Sequence, residues 1–444
     1  MARNIAYVAA MSITGALPAF AATVRTLDNG LTVVVREDYS ADVVAIVTYV
    51  KAGYFDESDQ QVGISHVLEH MFFKGTPTRG PGAIAQQTKA AGGYLNAATI
   101  YDHTSYYTVL PASAFEEGLD IQCDALLNSV VDEQELTKEL AVIVQEAKRK
   151  LDNPAAVARE TLYELLYDRH RMRRWRIGKE DQLREFSRRA VRDFFEAFYR
   201  GSNIVLVVVG AVDTDRAVRA VTQRYVALRD GSSPRDRGPS EPDWHGFRWR
   251  ELAGDVTQTR LELGWRTQAT LHPDTPALDL LAIILGQGRS SRLYRRVRDA
   301  GLASSVSAHN YTPTEVGVFG VSAEVNPEDA RPALRAIFDT VSALHAGIAS
   351  DEVARAQSML EARMLRSLET MEGQANFLAE WQSAGDWQLG VDYLEQLMAL
   401  QPAQVADVAA RYLTKDRVGV LAYRPGNTPK IAHDAAELHV WLVT

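Results

Sequence analysis

His66, Glu69 and His70 stand close together in the stretch Ser65–Thr76, S-H-V-L-E-H-M-F-F-K-G-T. Apolar residues at Val67, Leu68, Met71, Phe72 and Phe73 make this stretch read as a largely buried helix. On a helix, residues four apart lie one above the other, so His66 and His70 present their rings in the same direction. Two imidazoles at that spacing can share one zinc ion, and a glutamate on nearly the same face can act on a water beside it. A lone histidine on an apolar face is more often a satisfied core residue. Two of them with a buried glutamate are harder to place that way, because an unpaired buried carboxylate is costly.

The order His-x-x-Glu-His inverts the His-Glu-x-x-His zinc helix. A catalytic zinc takes three protein ligands and keeps one position open. The helix starting at Asp132 offers Glu139 and Glu146, seven residues apart and therefore on one face, with Val142 and Ile143 between them. Either carboxylate could serve a cation. Both could equally lie on the helix surface and pair with Lys138, Lys148 or Arg149.

The elements that must position these residues are legible along the chain. Thr23–Glu37 reads as a hairpin around Asp28-Asn29-Gly30, and Val43–Lys51 as an interior strand. Pro81–Ala91 reads as a short helix, and Tyr94–Leu110 as two strands. The first of these, around Asn96 and Ala97, has small side chains suited to a sheet edge that another backbone can approach. Helices follow at Ala112–Val131, Asp132–Leu151 (N-capped by Asp132), Ala155–Tyr167 and Ser187–Tyr199. Then come a buried strand at Asn203–Gly210 and a helix at Asp213–Ala227. Residues 230–249 turn rich in Pro, Gly, Ser and charge, which marks a linker.

Beyond it the theme repeats. A strand at Thr259–Trp265 precedes helices at Leu278–Leu285 and Gly286–Arg298, and paired strands lie within Val306–Val325. Helices at Glu352–Leu368 and Gln374–Ser383 follow, with shorter ones near Tyr393 and Val405 and a closing strand at Val418–Tyr423. This predicts an α+β fold built from two homologous mixed α/β domains, an internal duplication, at 23–229 and 250–444. Something like Asp279-Leu280-Leu281-Ala282-Ile283 stands where the first half has its histidines, so only the first half can carry a metal site.

Composition narrows the function. The net charge of −9 implies no nucleic-acid surface, and the arginines clustered over 169–192 read as a solvated face or a partner contact. The single cysteine, Cys123, excludes an intrachain disulfide and a four-cysteine zinc site. Residues 1–22 resemble a secretory signal, with Arg3, an apolar run from Ile5 to Leu17, and Ala19-Phe20-Ala21 before cleavage near Ala21. The expectation is a periplasmic or secreted protein with no stable membrane anchor.

Taken together, these stretches resemble the pitrilysin-type (inverzincin) zinc metallopeptidases, the family of insulin-degrading enzyme and the mitochondrial processing peptidase. The resemblance rests on L-D-N-G-L, H-V-L-E-H-M-F-F-K-G-T, G-G-Y-L-N-A, Y-D-H-T-S-Y-Y and V-V-V-G-A-V-D, and on the 75 residues separating His70 from Glu146. It implies a two-domain chain forming half of a clamshell-like chamber, with one Zn2+ per chain held by His66, His70 and Glu146. Glu69 would be the general base, Glu139 would orient a ligand or a water, and Asn96 and Ala97 would lie on the edge that binds the peptide substrate. Members complete in themselves also carry an Arg and a Tyr seven positions apart in the second half. Here Arg298 is followed six positions later by Ser304, and neither Tyr294 nor Tyr311 has the spacing. The resemblance therefore implies the zinc-bearing subunit of a heterodimer whose paralogous partner supplies that pair. The rival expectation is a non-catalytic structural or peptide-binding subunit, since the family includes such members.

Overall fold

A computed structural model describes residues 20–234, 236, 238–244 and 246–444. Residues 1–19 of the expected signal lie outside the described residues. The first strands and helices are β1 (Thr23–Thr26), β2 (Thr32–Glu37), β3 (Val43–Val50), α1 (Ile64–Met71) and α2 (Ala83–Ala90). Next are β4 (Tyr94–Thr99), β5 (Thr104–Pro111), α3 (Phe115–Asn128), α4 (Glu133–Leu151) and α5 (Pro154–Leu166). Then follow α6 (Glu180–Arg184), α7 (Arg188–Phe198), β6 (Ile204–Gly210), α8 (Thr214–Arg224), β7 (Arg248–Gly254) and β8 (Thr259–Thr267). The chain continues through α9 (Thr275–Gly286), β9 (Ser305–Tyr311), β10 (Gly317–Val325), α10 (Ala330–Ser342), α11 (Ser350–Ser367) and α12 (Met371–Ala384). It ends with α13 (Gln388–Ala399), α14 (Pro402–Tyr412), β11 (Gly419–Pro425) and α15 (Ala435–Val443).

Two compact units result, and they interleave along the chain. One comprises the chain up to Val144, Lys179–Asp236 and Glu361–Asp392; the other comprises Gln145–Gly178, Arg237–Leu360 and Tyr393–Thr444. The sequence reading placed consecutive stretches at 23–229 and 250–444; the compact units instead exchange α5 and α12.

The first unit is built on a sheet of order β1-β2-β6-β3-β5-β4. β6 is I-V-L-V-V-V-G and wholly buried, as a strand flanked on both sides and covered on both faces must be. It runs parallel to β2 and antiparallel to β3. The helix α12 brings Met371, Ala375, Leu378 and Ala379, a stripe at helical spacing, onto Ala45, Val47, Val205, Val207 and Val209. The opposite face carries α1 and α3.

The second unit has the order β7-β11-β8-β10-β9, and the pairing directions repeat those of β2-β6-β3-β5-β4. Its sheet is covered by α5 where the first has α12. The packing is complementary. Val47 and Val207 of the first sheet face the alanines of α12, whereas the paired Gly264 and Gly419 of the second leave room for leucines of α5. A Cβ on Gly264 would meet Leu166 at 2.7 Å and Leu162 at 3.0 Å. The duplication is thus visible in topology and in the exchange of bulk between sheet and helix.

Local differences from the sequence reading have local causes. The helix expected through Thr76 ends at Met71, because Gly75 takes φ +118° and the chain turns, Thr76 N–H donating to the Arg79 carbonyl at 2.8 Å. The helix expected over Gly286–Arg298 reduces to one π-helical turn at Tyr294–Arg298, since Gly288 takes φ +78° just beyond α9. The strand β7, a half-buried R-W-R-E-L-A-G without alternation, begins inside the expected linker. The last strand is followed by α15, whose A-A-E-L-H-V-W-L-V shows no clear apolar face. Among the described residues no helix is long and apolar enough to cross a membrane.

Candidate metal centre

The helix α1 is fixed at its start by a buried carboxylate. Glu57 is fully buried and accepts the N–H groups of Gly63 at 2.9 Å and Ser65 at 3.0 Å, the unsatisfied donors of a helix N-terminus. Ser65 in turn donates its hydroxyl to the Gly53 carbonyl at 3.2 Å. Ile64, Ser65, Val67, Leu68 and Met71 form the buried face. His66, Glu69 and His70 lie on the other side and are half-buried. Glu69 was expected to be buried; the apolar stripe of α1 is narrow enough to leave it at the boundary.

The rings of His66 and His70 lie 4.6 Å apart, centre to centre, at 76°. The one continuous helix α4 carries Glu139 and Glu146, and Asp132 caps its start by accepting the N–H groups of Gln134 and Glu135 at 2.9 and 3.0 Å. One ligand atom from each of His66, His70 and Glu146 falls within 4.8 Å of the other two. Glu139, buried, places Oε2 at 3.0 Å from Nδ1 of His70 and Oε1 at 2.5 Å from Nζ of Lys74. Burial opposes its charge, but the hydrogen bonds from Lys74 and His70 outweigh it and hold the carboxyl below the usual range. A carboxylate accepting at Nδ1 requires the proton there and leaves Nε2 of His70 as the donor atom for a metal. Lys138, one candidate surface partner for these glutamates, pairs instead with Glu135 at 2.7 Å. Two imidazoles and a carboxylate, with one imidazole oriented from behind, are the donor set of a catalytic zinc and fit that ion.

Glu69 is held from outside its helix: Thr99 at the end of β4 donates its hydroxyl to Oε2 at 2.5 Å. Beneath α1, Phe72 stacks on Tyr106 with centres 4.1 Å apart, and the buried Tyr106 and Tyr199 hydroxyls are 2.6 Å apart. Asn96 and Ala97 lie on β4, which pairs only with β5 and forms a sheet edge among the described residues. The Asn96 side chain itself accepts the Ala97 N–H at 2.9 Å, which blunts that edge. In the second unit, Arg298 is engaged close to home. Its Nε donates to the Ser304 carbonyl at 3.1 Å, and its guanidinium lies 4.9 Å over the Tyr294 ring. The Ser304 hydroxyl donates to the Glu324 carbonyl at 3.2 Å.

Sequence reasoning passed over Glu57, Lys74 and Thr99. Lys74 had a signal, standing one helical turn after His70. Thr99 had none in spacing, since its role depends on strand register.

A family model described as insulinase (peptidase family M16) matches residues 32–179, and one described as peptidase M16 inactive domain matches 185–360. An "uncharacterized zinc protease" of Rickettsia felis is 31% identical over 350 residues, covering 78% of this chain and 84% of the relative. A "probable mitochondrial-processing peptidase subunit beta" of Arabidopsis thaliana is 27% identical over 353 residues, 77% of this chain and 66% of that one. The crystal structure of a protease from Helicobacter pylori superposes with a TM-score of 0.87 at 25% identity, covering 91% of this chain and 100% of that one. A Pseudomonas fluorescens structure titled as an M16 inactive domain shares the fold, with a TM-score of 0.85 at 19% identity. With its His-x-x-Glu-His helix and downstream glutamate inside the matched region, the chain belongs to peptidase family M16, the pitrilysin-type zinc proteases.

Proposed function

We propose that this protein is a zinc-dependent endopeptidase acting on extended peptides, and the catalytic subunit of a heterodimer. The observation that carries the reading is the convergence of His66, His70 and Glu146 within 4.8 Å, with Glu69 on the helix that bears the two histidines. Those three residues would hold the ion, which when bound supplies Lewis-acid polarisation and makes a water more acidic. Glu69 is the group on this chain suited to take a proton from the attacking water and return it to the leaving amine. Glu139 keeps the His70 ring in one tautomer and orientation. The free edge of β4 offers backbone groups for an added peptide strand, with Asn96 releasing the Ala97 N–H as the peptide arrives.

The partner follows from what the second unit does not offer. Arg298 is tied to Tyr294 and to the Ser304 backbone, and the short Ser304 hydroxyl is spent on the Glu324 carbonyl. A missing donor to the oxyanion costs on the order of a hundredfold in rate. A paralogous subunit bearing an Arg/Tyr pair would supply it, in keeping with the Arabidopsis relative being named a subunit. The N-terminal sequence supports export to the periplasm or beyond as part of the same reading.

The test is hydrolysis of a fluorogenic peptide library by the purified chain, with and without its nearest encoded paralog. Activity that rises strongly with the partner supports the heterodimer. A rate unchanged by the partner removes it.

A further inference from the structure

We infer that Thr99 is the positioning residue of the general base, fastening the Glu69 carboxylate to the strand that receives the peptide. The inference rests on the peptidase reading and on peptide addition at β4.

The hydrogen-bond assignments leave one role for the Thr99 proton. Thr104, its partner across the β4–β5 pair, donates its hydroxyl to the Ala52 carbonyl at 2.9 Å. The two threonine oxygens lie 3.4 Å apart, so Thr104 could only accept from Thr99, and at that distance it competes poorly with a carboxylate at 2.5 Å. Thr99 therefore donates to Glu69 Oε2 at 2.5 Å, a short charge-assisted bond.

The two ends of this bond are clamped to a common segment. The turn after Thr99 is pinned by Tyr54 N–H to the Ile100 carbonyl at 3.0 Å and Phe55 N–H to the Tyr101 carbonyl at 2.9 Å. At Gly53 the backbone approaches so closely that a Cβ would meet the Ile100 oxygen at 2.3 Å. The same segment reaches α1 through Glu57 and through Ser65 on the Gly53 carbonyl. The end of β4 and the start of α1 are thus set against one frame, and Thr99–Glu69 closes it.

Strand alternation gives the arrangement its consequence. Leu95, Ala97 and Thr99 lie on one face of β4, with Tyr94, Asn96 and Ala98 on the other. A peptide paired at Ala97 therefore lies about two residues, roughly 7 Å, along the strand from the residue that holds the base. The element that sets the peptide register also sets the position of Glu69. Thr99 does not touch reacting atoms in this account; it acts through Glu69.

The test compares Thr99→Val and Thr99→Ser in the full-length chain, with its partner where activity requires one. The substrate is a peptide containing several cleavable bonds. Wild type and Glu69→Gln are run first. If hydrolysis does not depend on Glu69, the peptidase reading has failed and this inference falls with it. If it does, Thr99→Val is expected to lower kcat about 10- to 100-fold with KM within about twofold, and to spread cleavage over neighbouring bonds. Thr99→Ser, which keeps the donor, should restore most of kcat. Peptide affinity on the Glu69→Gln background, read by fluorescence anisotropy, should be unchanged by Thr99→Val. On a Glu69→Asp background, whose shorter carboxylate withdraws from Thr99, the valine change should add little. An unchanged kcat, a raised KM at constant kcat, or a full multiplicative loss on the Asp background would each overturn the inference. Should Thr99→Val fail to fold, the Thr99→Ser rate decides: a serine variant as slow as Glu69→Asp contradicts a donor role.

Discussion

Nδ1 of His70 and Oε2 of Glu139 lie 3.0 Å apart, and the other oxygen of the same carboxylate meets Lys74 at 2.5 Å. One buried glutamate thereby fixes the His70 ring, a proposed metal ligand, from behind while a lysine holds the glutamate. Partners of this kind typically contribute 10- to 100-fold in metal affinity. Glu139→Ala should weaken zinc binding by about that factor in chelator competition. Unchanged affinity would show that the His70 ring is held by other means.

Glu57 gives a prediction about stability. Its carboxylate, fully buried, takes two N–H groups at the start of α1. Hydrogen bonds to a charged group contribute about 1.5–3 kcal/mol, and leaving buried donors unmet adds to the loss. Glu57→Ala should lower unfolding free energy by about 3 kcal/mol in urea titration, with Glu57→Gln losing about half as much. A midpoint within error of wild type would remove the capping role.

His103 supplies the pH dependence. It is buried against Tyr49, ring centres 4.0 Å apart, and burial pushes its pKa down to about 3 from an ordinary 6.5. Because the folded pKa is depressed, the unfolded chain binds more protons between these values. The stabilisation is complete above pH 6.5 and is lost as pH falls toward 3. At pH 5 the loss is about 2 kcal/mol. His103→Phe keeps the stack but cannot titrate, so its stability should fall less than that of wild type between pH 7 and 5, by about that amount. Parallel urea midpoints across that range would contradict this.

Much of this molecule can be read from its residues, for identifiable reasons. The hairpin at Gly30, the buried run of β6 and the capped helix at Asp132 are local signals, and each element stands where its sequence places it. The repeat of strand order is equally legible, since both halves use the same succession of elements. What sequence does not carry is exchange: nothing in P-A-A-V-A-R-E-T-L-Y-E-L-L states that α5 will cover the second sheet. That depends on Gly264 and Gly419, distant in the chain, leaving room for Leu162 and Leu166. The site divides in the same way. His66, Glu69 and His70 are fixed by helical spacing, and Glu146 follows from its distance along the chain in the family pattern. Thr99 meets Glu69 only because of sheet register and the turn held at Gly53, neither of which spacing encodes.

The most direct measurement is peptide hydrolysis by zinc-loaded wild type and zinc-loaded Glu69→Gln, assayed with and without the proposed partner and with zinc content determined on the same samples. About one zinc should be bound in each and the rate should be at least ~100-fold lower in the variant, because the proposed general base is gone while His66, His70 and Glu146 remain. Equal rates at equal zinc content would contradict the peptidase reading.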